Sequence, residues 1–137
     1  MATKSQSLLS QAIMVQAEVE LPVATGTVAG PAVKAGTLVL AAGVELLDAN
    51  DSTDMDVTVT DSTTDFMAAT AIEGASVGDF VFGTQTQGVI AIDDTIDATV
   101  TVTDAPSATS TARVWAIIVD VTETPLGADE VARDQLA

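Results

Sequence analysis

The sequence predicts an all-β domain, an antiparallel β-sandwich or jelly roll of about 8–10 short strands, with an N-terminal arm and a short C-terminal tail or helix. Three observations carry this prediction. First, 18 Val and 20 Thr stand among the 137 residues, and both types are stiff at χ1 and pack well on a pleated surface. Second, hydrophobic residues make up 47% of the chain while aromatics are only three Phe and one Trp, so a core must be built from small and branched side chains. Third, apolar and polar residues alternate in separate stretches, with turn signals roughly every 8–12 residues. No helical period alternates with these strands, which argues against a parallel α/β sheet. A chain of this length buries about 68% of its unfolded surface, enough for one core. The expected organisation is an arm over residues 1–14, a β-sandwich over 15–122 and a tail over 123–137.

Taken in order, "MATKSQSLLSQA" is polar with adjacent Leu8 and Leu9, and fits either a turn or two of amphipathic helix or an extended arm. "VQAEVEL" then alternates, with Val15, Ala17, Val19 and Leu21 on one face and Gln16, Glu18 and Glu20 on the other, and Pro22 ends the strand. "TGTVAGPAVKAGT" is punctuated by Gly and Pro and predicts short extended pieces. "TLVLA" and "VELL" predict a hairpin that turns at Ala42 and Gly43. "DANDSTD" is a polar loop, and in "MDVTVT" Val57 and Val59 face inward and Thr58 and Thr60 outward. "DFMAATAIEGASVGD" fits a short helix or an irregular strand equally. "FVFG" and "GVIAI" predict short strands around the linker "TQTQ", and "ATVTVT" follows the loop "DDTID". In "ARVWAIIVDVTE", Trp115, Ile117, Val119 and Val121 share one face and Val114, Ala116 and Ile118 the other, so this strand is expected to be central and covered on both sides. The tail "PLGADEVARDQLA" has Asp129 and Glu130 in a first turn and Arg133 later, which suits a short helix.

Charge narrows the partners. Twenty acidic residues against four basic ones give a formal net charge of −16, and no Lys or Arg occurs between Lys34 and Arg113. Such a surface repels phosphate backbones and anionic lipid, so neither nucleic acid nor membrane is an expected partner. Its plainest role is to keep the protein soluble. No stretch approaches the roughly 18 consecutive apolar residues of a membrane span, and the interrupted N-terminus lacks a secretory signal, so folding in a cytoplasm is expected.

The chain contains no His, Cys or Tyr, which removes the usual general bases, thiol nucleophiles and soft metal ligands. No enzyme activity and no cofactor are expected. A carboxylate pair such as Asp93 with Asp94 or Asp97 is the remaining catalytic arrangement, of the kind glycosidases use, but four aromatics barely furnish a core, let alone a sugar platform. Hard cations are the more serious alternative. Asp48, Asn50, Asp51, Asp54 and Asp56 fall within one short loop, as Ca²⁺ prefers, although Thr53 stands where an EF-hand loop needs Gly. Against this, Asp and Asn populate turns because their side chains bond local backbone, and that explanation is favoured, with "DDTID" as a second cluster of the same sort.

The pentapeptide "VTVTD" occurs twice, at residues 57–61 and 100–104. The surrounding residues match over a short window only, so the repeat reads as two equivalent strands of one sandwich, each opened and closed by Asp. Their acidic loops, 51–56 and 93–97, are then expected at corresponding ends of the domain.

The stretch "DDTIDATVTVTDAPSATSTARVWAIIVDV" resembles the C-terminal hairpin of small structural proteins of tailed bacteriophages, and "DVTVTDSTTDFMAATAI" resembles the strand and connection that precede it. This resemblance implies a non-enzymatic capsid decoration or cement protein on the outer surface of the virion. Its partner would be the major capsid protein, with a homotrimer as the favoured oligomer. Lys4, Leu8, Leu9, Ile13 and Met14 of the arm, with Val131 and Leu136 of the tail, are the expected capsid or subunit contacts. A phage tail, neck or fibre component, or a Ca²⁺-dependent surface adhesion module, is the alternative.

Overall fold

The computed structural model describes residues 12–120. Nine strands follow in order: β1 (Ile13–Leu21), β2 (Gly26–Val33), β3 (Thr37–Leu46), β4 (Asp54–Thr60), β5 (Asp65–Ala71), β6 (Phe80–Val81), β7 (Gly88–Val89), β8 (Asp94–Asp104) and β9 (Ser110–Asp120). They form two antiparallel sheets. One runs β1-β9-β3-β6, with β7 also on β3, and the other runs β2-β8-β4-β5. The protein is an antiparallel β-sandwich, and the described residues contain no helix.

Alternation builds the core between the sheets. From one sheet Leu21, Val39, Val44, Leu46, Ala112, Val114 and Ala116 point inward, and from the other Met55, Val57, Val59, Phe66, Ile96, Ala98 and Val100; all are buried. The predominance of Val and Ala fits the composition, because two sheets about 10 Å apart leave room for interdigitated small side chains. β9 is central, as expected, lying between β1 and β3. Its inward face is the even one, with Ala112, Val114, Ala116 and Ile118 buried. The expected cover on both sides is not found: its odd face is the outside of the sandwich, where Trp115 is buried and Ile117 and Val119 are only half-buried. Val121 lies outside the described residues.

Several expected boundaries move. Ile13 and Met14 are the first residues of β1 rather than part of an arm. The expected turn at Ala42 and Gly43 is absent, for β3 runs unbroken through both. Gly43 is there for close approach: a Cβ on it would stand 2.6 Å from Cζ2 of Trp115 and 2.9 Å from the Val81 carbonyl oxygen. The actual turn before β3 uses Gly36, at φ 87°. "GTVAGPAV" forms one strand with a bulge between Ala29 and Ala32; Pro31 is tolerated because β2 is an edge strand. The undecided stretch after residue 64 is strand β5 followed by turns. "DDTID" is not a loop, since residues 94–97 are the start of β8.

The repeated "VTVTD" strands are direct neighbours. β4 pairs β8 antiparallel with Val57 opposite Val100, so a local two-fold axis through that pair carries each copy onto the other. Antiparallel pairing also reverses the ends: Asp54 lies opposite Asp104, and Thr60 opposite Asp97. The loop at 51–56 and the segment 93–97 therefore sit at opposite ends of the sheet, contrary to the expectation of corresponding ends. The equivalence of the strands is real and the shared end is not, because a two-fold perpendicular to a sheet inverts direction.

The connection from β6 to β7 closes one side of the sandwich. β6 pairs with Val44 and Glu45, and β7 with Leu38 and Val39. Between them Thr86 N–H donates to the Phe66 carbonyl and Ala68 N–H to the Thr84 carbonyl, both at 2.9 Å, reaching the opposite sheet. Gln85 fills the gap on β3, its Oε1 accepting the Ala42 amide at 2.8 Å while its Nε2 donates to the Gly83 carbonyl at 2.9 Å.

Candidate interaction surface

The acidic loop between β3 and β4 uses its side chains on its own surroundings. Asn50 is buried; its Oδ1 accepts the Ser52 amide at 2.9 Å and its Nδ2 donates to Ser110 Oγ at 3.3 Å. Asp48 Oδ2 accepts the Thr111 amide at 3.3 Å. Asp51 takes both the amide and the hydroxyl of Ser107, at 2.8 and 2.6 Å, and these hydrogen bonds, the hydroxyl first, hold its carboxyl below the ordinary 3.8. Asp104 likewise accepts the Thr53 hydroxyl at 2.7 Å and its amide at 3.2 Å, and its pKa is lowered chiefly by that hydroxyl. The result is a brace between the β3–β4 and β8–β9 loops. Asp54 and Asp56 lie on β4, the first exposed and the second half-buried. Among the described residues no three carboxylates converge on one point.

The second acidic segment divides as well. Asp93 Oδ1 accepts the Ala35 amide at 2.9 Å, Asp94 Oδ1 accepts the Thr95 amide at 2.8 Å, and Asp97 Oδ1 accepts the Thr95 hydroxyl at 2.5 Å. Asp93 and Asp94 line a hollow of about 430 Å³ beside Lys34. Asp97 lies on the outer face of β8 between the inward-facing Ile96 and Ala98, and it shares Thr95 with Asp94.

Of the expected contact residues, Ile13 and Met14 are exposed on β1, each at 57%. Lys4, Leu8, Leu9, Val131 and Leu136 lie outside the described residues.

A different surface emerges from the register. On the outer face of the β1-β9-β3-β6 sheet, Met14 pairs with Ile117, and Leu38 stands between Val119 and Val89. In the next rows Trp115 lies opposite Gly43, and Phe80 opposite Glu45. Phe82 covers Trp115, the rings parallel within 3° at a centroid distance of 5.8 Å. Much of this face is open: Phe80 is 66% exposed, Phe82 55% and Val89 53%. Trp115 itself is only 7% exposed, and its Nε1 is buried without an acceptor among the described residues. The face is edged by Glu18 and Glu20 on β1 and by Glu45, which accepts from Arg113 at 2.7 Å. A groove of about 430 Å³ adjoins Phe80 and Phe82 and has Glu73 and Asp79 in its walls.

Sequence reading missed Phe80, Phe82 and Val89 as surface residues. The available signal was the spacing in "FVFG", which puts both Phe on one side of Val81; what it lacked was the knowledge that Val81, and not the rings, would face the core.

The fold recurs in a viral capsid. The chain is similar to a chain of the Cyanophage Pam1 capsid asymmetric unit, with a TM-score of 0.58 and 15% sequence identity, over 80% of this chain and 85% of that one. At that identity the likeness is one of fold. No protein-family model and no curated protein matches the sequence.

Proposed function

We propose that this protein is a structural component of a bacteriophage virion: a decoration or cement protein that binds the major capsid protein on the outer surface of the shell and stabilises it, without enzyme activity. The observation that carries this reading is the shared fold across 80% of the chain with a chain of a phage capsid asymmetric unit. The resemblance of the β4–β5 and β8–β9 segments to small phage structural proteins points the same way. The absence of His, Cys and Tyr from the sequence leaves little for chemistry, and the large negative charge suits a surface turned to solvent. Binding that lasts through the life of a particle needs an interface of roughly 1,600 Å² or more, summed over both partners.

The test is to count and locate the protein in purified particles. A shell protein is present in a fixed ratio to the major capsid subunit and appears across the whole surface in cryo-electron micrographs. A tail, neck or fibre component is present in a number set by the rotational symmetry of that organelle. Localisation to the tail alone, or absence from the particle, would sink the reading. A second arm adds the protein to shells assembled without it and follows their resistance to heat, which is expected to rise with occupancy by mass action.

A further inference from the structure

The proposed function leaves open which face of the sandwich meets the shell. Antiparallel sheets that face water normally turn polar side chains outward, and scattered exposed hydrophobics need no explanation, whereas a contiguous patch marks an interaction site. On the β1-β9-β3-β6 sheet the outward side chains form successive rows: Leu38 with Val119 and Val89, then Met14 with Ile117, then Trp115 between Gln16 and Gly43, and beyond it Phe80 opposite Glu45. Phe82 rises from the middle at 55% exposure with an indole stacked beneath it. Aromatic anchors at the centre of a patch are the usual carriers of binding energy.

What covers this face is decided by charge. A second copy docking face to face would bring Glu18 and Glu20 against the same residues or their acidic neighbours, and each copy carries a net charge of −16. Among the described residues the cation on this face is Arg113, and it is already bonded to Glu45. The complementary occupant is therefore a different protein that presents an apolar patch edged by Lys or Arg.

We propose that the outer face of the β1-β9-β3-β6 sheet, centred on Phe82 over Trp115, is the surface that docks onto the shell, against an apolar patch of the capsid protein bordered by basic side chains. This rests on the reading of the protein as a virion component.

Trp115 is the single tryptophan of the chain, so its emission reports from the centre of the proposed contact. The experiment titrates the full-length protein with capsid shells assembled without it, and measures bound protein by co-sedimentation and the accessibility of Trp115 by acrylamide quenching. Phe82→Ser and Val89→Ser are compared with Thr101→Ser on the opposite face, with urea midpoints as a control of folding. Val89 pairs with Leu38, five residues along β3 from the Gly43 that faces the indole, so that variant separates loss of docking from a change of the fluorophore's surroundings. The expected result is protection of Trp115 on binding, affinity lowered about tenfold or more by Phe82→Ser, a smaller loss for Val89→Ser, and no change for Thr101→Ser. Association is expected to slow as salt is raised, and that dependence to shrink in Glu18→Gln. If wild-type protein binds shells and both sheet variants bind equally well, the proposed face is wrong while the virion reading stands. If wild-type protein does not bind at all, the virion reading falls and takes the face with it. If the isolated protein sediments as an oligomer that Phe82→Ser dissociates, the face belongs to a second copy and the proposal is overturned.

Discussion

On the outside of the β2-β8-β4-β5 sheet, Thr27, Thr99 and Thr58 stand in one row, with Asp56 beside Thr101 in the next. On the outside of the β1-β9-β3-β6 sheet the corresponding rows hold Leu38, Val119 and Val89, or Gly43 beneath an indole and a phenyl ring. Both faces are made by strands that alternate with a period of two and bury Val or Ala on their inner side. The inner faces are interchangeable in chemistry, whereas the outer faces differ, one carrying Thr and Asp and the other apolar rows that end at the charged row of Glu18, Arg113 and Glu45. Folding constrains only the first of these, because the core requires apolar side chains on one side of each strand and is indifferent to the other. The outer residues are thus the part of the sequence free to encode what the sandwich meets: Thr and Asp suit water, and the Phe and Trp side is the one proposed above to meet another surface.

The most damaging change to this comparison would strike the floor of the apolar face. Gly43→Val places a side chain where a Cβ already falls 2.6 Å from the indole and 2.9 Å from a backbone oxygen. The backbone oxygen is fixed by the pairing of β6 with β3, so the ring must leave. Overpacking of this kind costs about 1–3 kcal/mol, and the upper end is expected here because Phe82 loses its stacking partner as well. Urea unfolding followed by Trp115 emission checks both effects at once: the midpoint falls, and the native emission shifts to the red as the indole is uncovered. An unchanged midpoint would mean that Gly43 is not needed for close approach.

This position also shows what was legible in the sequence. Alternation located β1 and β4 with their inward residues and the runs of β8 and β9, while β3 was read as a hairpin, and the all-β class followed from Val and Thr. The sandwich was within reach because patterning is a local property that each strand displays by itself. Gly43 was misread as a turn, since a glycine needed for room and a glycine needed for positive φ look alike until the residue opposite is known, and that residue is Trp115, far along the chain. The exposed Phe pair was hidden for the same reason. Two-residue strands such as β6 and β7 are too short to show a period, and only pairing with β3 decides which of their sides faces out. The acidic loop was read correctly in composition, and its atoms turn to the amides and hydroxyls of a neighbouring loop that the sequence places more than fifty residues away.

A smaller effect is expected on the polar face. The Thr27 and Thr99 hydroxyls lie 2.9 Å apart on exposed, neighbouring strands. Thr99→Val removes that contact in favour of an equally branched side chain, and surface changes away from special features fall within about 0.5 kcal/mol. The expected outcome is a urea midpoint shifted only slightly, with solubility and oligomeric state unchanged. A loss comparable to that of Gly43→Val would show that the Thr rows carry structural weight, and the contrast between the two faces would then have to be redrawn.

The finest distinction concerns the carboxylates that pin the end of the polar sheet. Asp51 holds both the amide and the hydroxyl of Ser107, and its folded pKa lies below 3.8, with the Ser107 hydroxyl as the main cause. A depressed carboxyl pKa means that the ionised form is the one the fold favours. The stabilisation it supplies is complete above the unfolded value and is lost as pH falls through the lower folded value, so the brace persists to a pH under 3.8 before it loosens. Because Asp51 is fully exposed, the effect is local and screened by salt, and global unfolding is the wrong measurement for it. The protection of the Ser107 amide against hydrogen exchange, followed between about pH 5 and about pH 3, is the direct one. Protection is expected to hold in the upper part of that range and to fall toward its lower end. In Asp51→Asn it is expected to be low throughout and without that step, since an amide side chain offers the serine a weaker acceptor that does not titrate here. A step that survives the substitution would assign the brace to Asp104 and Thr53 alone.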